Sequence, residues 1–167
     1  MIAVAGPPTA PVILDRRRVE MIAGHDPDAP PFVYHAARRL PPADAERLVS
    51  EAAERSESRA REAIAAAVKA IGKYELVAAG VVVGAAPRAS TLQTILASHS
   101  AIHAAEGALY RAAIARACAA LGIRVVEVPA RELGARAAGL FGIAVAAVPD
   151  HLTAIGRAHG RPWAKDQ

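Results

Sequence analysis

Residues 98–111 read Ser98-His99-Ser100-Ala101-Ile102-His103-Ala104-Ala105-Glu106-Gly107-Ala108-Leu109-Tyr110-Arg111, and the fold turns on how they are placed. Their pattern predicts the first half of a long helix, from about Ser90 to Leu121, closed by Gly122. At three- and four-residue spacings His99, His103, Glu106 and Tyr110 share one helix face. Ile95, Ile102 and Leu109 flank that face, so the titratable groups are expected to point inward.

Strand-like runs stand on both sides of this helix. Glu75 to Gly84 ends in a continuous apolar Val81-Val82-Val83, as in a parallel strand covered on both faces. Ile123 to Pro129 is the second run. Strand, helix and strand in succession predict a βαβ unit with parallel strands. Upstream, Ala43 to Ile71 is helical, with Glu51→Arg55 and Glu57→Arg61 in the favourable order and Gly72 as its stop. Its expected buried contacts are Leu48, Val49, Ile64, Val68 and Ile71.

The N-terminal third reads as extended: Ile2 to Ala5, Pro11 to Leu14 and Val19 to Ile22, around the basic run Arg16-Arg17-Arg18. Residues 24–31 hold three prolines and read as a loop. Phe32 to His35 fits a short strand or an ordered segment before the helix that Pro41-Pro42 introduces. Beyond Pro129 a short helix is expected to Leu140, then a last one from Val148 to about Gly160.

The totals fit one α/β domain spanning 1–167, with 53% hydrophobic residues but only 4% aromatic ones. Alanine supplies much of that fraction, which implies helices approaching closely across small side chains. The net charge of +4 permits anionic partners. With 17 arginines to 3 lysines, however, composition explains much of the basic character, and only Arg16-Arg17-Arg18 is a tight run. A single cysteine, Cys118, rules out an internal disulfide and a multi-thiolate zinc site, and it reads as a quiet packed thiol. No signal-like N-terminus or membrane-length apolar run is present, so a cytoplasmic protein without membrane contact is expected.

The order of elements, antiparallel strands followed by alternating helices and strands, resembles a ribonuclease H-like fold. Residues 81–139, with their Val-rich strand, Ala-rich helix and "VVEVPARELGARAAG" segment, resemble Holliday-junction resolvases of the RuvC type. The whole chain also resembles a group of uncharacterised bacterial proteins. They share Leu14-Asp15-Arg16-Arg17-Arg18, Tyr34-His35-Ala36-Ala37, the Ser98-to-Gly107 helix and Pro162-Trp163 with Asp166-Gln167. The resemblance implies one mixed sheet with helices packed on it, here without the terminal helix, and nucleic acid as partner.

Resolvases of this type hold two metals on strand and helix carboxylates. Ile2 to Gly6 and Val81 to Pro87 carry no acid, and Asp166 alone stands near the final position. The resemblance therefore implies a degenerate member that binds nucleic acid through Arg16, Arg17 and Arg18, with no resident cofactor expected.

The helix face offers a different function, an enzyme or a binder of small anionic ligands. As acid–base groups, His99, His103, Glu106 and Tyr110 are the candidate catalytic residues, with Arg38 or Arg39 as a charge clamp. As metal ligands, the His pair has a zinc spacing, but Ser100 stands where the metalloprotease helix has its Glu. His103, Glu106 and Asp166 are the metal candidates. His99 and Glu106 are separated by roughly 10 Å of helix rise, so one ion takes two of the three helix residues at most. Its other ligands would come from His35, His159 or Asp166. The structural alternative is a buried network with Glu106 accepting from His103, or a face covered by a second copy of the chain. Ser98 beside His99 makes no nucleophile pair, because adjacent helical residues do not face each other.

Overall fold

In the computed structural model residues 1–22, 30–84 and 91–158 are described. Two long helices form the body, α2 (Pro42–Ile71) and α4 (His99–Ala120), preceded by the short α1 (Val33–Ala37). Pro42 opens α2 at a position where a missing N–H costs nothing, and Gly72, at φ 59°, closes it. The buried stripe of α2 runs Ala45, Ala52, Ser56, Ala60, Ile64, Ala67, Ile71, and that of α4 includes Ile102, Ala105, Leu109, Ala113 and Ala117. Ile64 and Ile71 are buried as expected, but alanines take the places expected of the other branched residues. Leu48 and Val49 are only half-buried and Val68 is exposed, whereas Ala60, Ala113 and Ala117 are sealed. Glu57 and Arg116 tie the two helices at 2.7 Å.

The parallel strand–helix–strand expectation holds. β3 (Ala79–Val83) and β4 (Val125–Pro129) pair in parallel, joined through α3 (Leu92–Leu96) and α4. However, β3 is not covered on both faces: Val81 is buried while Val82 is 48% exposed, because no helix packs on its outer side among the described residues. Cys118 sits at the base of this unit with Ala60, Ile64, Ala117 and Ile123. The single helix expected from Ser90 to Leu121 is broken before His99, because Ser98 takes an extended conformation and its hydroxyl caps Ala101 N. Ser90 itself lies outside the described residues.

At the N-terminus, β1 (Ile2–Ala5) and β2 (Val12–Arg16) pair antiparallel through the turn that Gly6 makes at φ 85°. Val19 to Ile22 forms no strand. The expected single mixed sheet is, among the described residues, two separate pairs, β1–β2 and β3–β4. Both β1 and β3 line one cleft of about 1250 Å³.

After β4 a 3-10 turn (Ala130–Glu132) leads into α5 (Leu133–Phe141), which Gly142 ends in the left-handed region. The last element is α6 (Val148–Ala158). Among the described residues no single helix is long and apolar enough to cross a membrane; Ala130–Phe141 and Val145–Arg157 reach that measure only as a pair bent by 95°.

Candidate functional site

The site is built on Glu106, whose residue is 8% exposed in the middle of α4. A buried carboxylate needs donors, and α1 supplies them. The residue preceding α1 is Phe32, which has no capping side chain, so the first N–H groups of α1 lack partners of their own. Glu106 takes all three: Val33 N donates to Oε2 at 3.1 Å, and Tyr34 N and His35 N donate to Oε1 at 2.8 and 3.2 Å. A single carboxylate from another helix thus does the work of an N-cap, at the end of the helix dipole that favours negative charge.

This capping delivers His35 to α4. Its Nδ1 lies 3.3 Å from Glu106 Oε1. A carboxylate accepts here, so a neutral His35 that keeps this contact would carry its hydrogen on Nδ1 and offer the Nε2 lone pair. Across from it, His99 and His103 stand one turn apart, Nε2 to Nε2 at 3.1 Å. The His35 ring lies 5.7 Å from that of His99 and 5.0 Å from that of His103. One ligand atom from each of the three histidines falls within 4.8 Å of the other two.

The sequence-based picture of this face changes in three ways. His99 and His103 are exposed, not inward, because the helix turns its apolar stripe toward α2 and leaves them beyond the edge of α1. Glu106 does not accept from His103; the α1 amides outcompete it. The third histidine comes from α1 rather than from the helix itself. Tyr110 donates to Pro31 O at 3.3 Å. Burial first, and the Glu106 charge second, push the phenols of Tyr34 and Tyr110 above their usual value. Of the other named donors, His159 and Asp166 lie outside the described residues, and Arg38 and Arg39 are exposed.

The basic run behaves as an edge rather than a patch. Arg17 Nε donates to Asp15 Oδ2 at 2.6 Å, which holds that carboxyl below the usual range. The chain terminus closes on the same place: the N-terminal ammonium donates to Arg17 O, and Arg17 N donates to Met1 O. Arg16 to Arg18 border the cleft between β1 and β3.

His35 was visible in the sequence only as an available donor. The signal that finds it is a short segment after the proline loop with no capping residue, whose first amides need an acceptor from elsewhere in the chain. Compared with protein-family models, curated proteins and solved structures, the chain matches none.

Proposed function

We propose that the protein binds a divalent transition metal, zinc by its donor chemistry, through His35, His99 and His103. The observation that carries this reading is the convergence of three imidazoles from two helices, with ligand atoms within 4.8 Å of one another. Imidazole nitrogen suits zinc, and two nitrogens on a tetrahedral zinc lie roughly 3.3 Å apart, near the 3.1 Å between His99 and His103. A hydrogen bond accounts for that pair equally well, but not for the third ring. Glu106 has the place of the carboxylate that fixes a ligating histidine from behind. Three protein ligands at an exposed site leave the fourth position to water or substrate, the arrangement of a catalytic rather than a closed structural zinc. Such an ion, held by His35, His99 and His103, would acidify its water and polarise a bound oxygen. Glu106 and Asp166 are not among the proposed ligands: Glu106 is committed to α1, and Asp166 lies outside the described residues.

The test is metal titration of the purified, chelator-treated protein. We expect one zinc per chain, loss of binding in His103→Ala and His35→Ala, and a thermal midpoint little changed in metal-free His103→Ala because that side chain is exposed. No saturable zinc binding, or binding untouched by both substitutions, would refute the reading.

A second reading keeps the resolvase-like expectation. A ribonuclease H-like sheet would join the two strand pairs through β1 and β3, and both strands line the same cleft with Arg16, Arg17 and Arg18. We propose nucleic acid as the partner of that edge. Binding of DNA or RNA at low salt should fall when the three arginines are replaced by Ala, and its absence in the wild-type protein refutes the reading.

A further inference from the structure

Of the nine arginines in the described helical segments, five are ion-paired, Arg47 and Arg55 with Glu51, Arg116 with Glu57, Arg131 and Arg136 with Glu132, while Arg59, Arg61, Arg111 and Arg157 form no ion pair among the described residues. Arg111 is half-buried on α4. Its side chain folds back along the helix, the direction long helical side chains favour, and lies over Gly107. A Cβ at Gly107 would stand 2.7 Å from Arg111 Nη1 and 3.4 Å from both Cζ and Nη2. Glycine is disfavoured inside a helix, and here its missing side chain is the seat of the guanidinium.

The same guanidinium reaches the end of β3, where Nη2 lies 3.9 Å from the Cβ position of Gly84. It therefore stands beside the carboxyl end of β3. It also lines the cleft between β1 and β3, alongside Arg16, Arg17 and Arg18, and no Asp or Glu among the described residues lines that cleft. The floor is aliphatic, with Ile64, Ala67, Ile71 and Ile123, and no aromatic ring among the described lining residues offers a stacking surface.

We infer that Arg111, seated over Gly107 at the carboxyl end of β3, anchors a phosphate group of a ligand entering this cleft. A planar guanidinium fork matches phosphate oxygens, and of the other arginines bordering the cleft Arg17 is already held by Asp15 at 2.6 Å, so Arg111 is the anchor. The phosphate can belong to a small phosphorylated compound or to a nucleic-acid backbone. The inference stands apart from the metal reading, whose three ligands it does not involve.

The experiment is calorimetric binding of pyrophosphate, and separately of a short single-stranded oligonucleotide, to wild-type protein, Arg111→Ala, Arg111→Lys and Gly107→Ala. Loss of a charged hydrogen-bonding anchor predicts about tenfold to hundredfold weaker binding in Arg111→Ala, with partial retention in Arg111→Lys. Gly107→Ala should also weaken binding, because its Cβ displaces the guanidinium, while its thermal midpoint rises; a binding defect in a more stable protein cannot come from unfolding. Zinc titration should be unchanged in all three variants, which separates this inference from the metal reading. Binding of the oligonucleotide alone, with the same losses, supports the inference and names the backbone as the phosphate source. Failure of both probes to bind the wild-type protein, or wild-type affinity in Arg111→Ala or Gly107→Ala, overturns it.

Discussion

Replacing Glu106 by Ala removes four acceptor contacts at once, at 2.8, 3.1, 3.2 and 3.3 Å. Hydrogen bonds to a charged group contribute about 1.5–3 kcal/mol each, but they do not add when one carboxylate makes several. Val33 is 2% exposed and its N–H would stay orphaned, whereas Tyr34 and His35 are half-buried and regain water in part. The expected cost is therefore about 3–5 kcal/mol, a large share of the roughly 5–15 kcal/mol available to a domain. At this chain length that lowers the thermal midpoint by on the order of 10 °C. Glu106→Gln keeps one oxygen for Tyr34 and His35 but turns an NH₂ toward Val33 N–H, for about 2 kcal/mol. Urea unfolding in the presence of a chelator reads both values without any metal contribution, and amide exchange at residues 33–35 locates the damage. A loss below about 1 kcal/mol in Glu106→Ala, or unchanged protection of those amides, would refute the capping argument.

Three further outcomes test the surrounding structure. The Tyr110 phenol, raised by burial and then by Glu106, adds stability that is full below its ordinary value of 10.0 and is lost as pH climbs through the higher folded value, because the unfolded phenol ionises first. The stability difference between wild type and Tyr110→Phe should thus shrink between about pH 9 and about pH 11; a constant or growing difference contradicts it. Burial raises the Cys118 thiol, so alkylation should follow the unfolding equilibrium rather than proceed on the native protein. Ala117→Leu forces extra volume into the sealed contact with Ala60 and should cost about 1–3 kcal/mol in chemical unfolding.

The sequence made the periodic parts legible. The extent of α2 and its Gly72 stop, the strand at β3 and its parallel partner in β4 all follow from spacing and punctuation. What escaped it was decided by contacts distant in sequence. Val33-Tyr34-His35 has strand-like composition, yet it forms a helix because Glu106 satisfies amides that no neighbouring side chain could reach. For the same reason the site was half visible: His99, His103 and Glu106 announce themselves on one helix, while His35 joins them only through the fold. The break at Ser98 was written in a capping residue but hidden inside a longer apolar pattern. Whether two strand pairs share one sheet is a matter of edges meeting in space, on which periodicity is silent.

The central claim is that three histidines from α1 and α4 form a metal site, and cobalt substitution tests it most directly. Cobalt bound by three imidazoles and one water should give intense tetrahedral absorption bands at one equivalent per chain, abolished in His35→Ala and displaced by zinc. Weak octahedral bands in the wild-type protein, or tetrahedral bands that survive His35→Ala, would contradict the account.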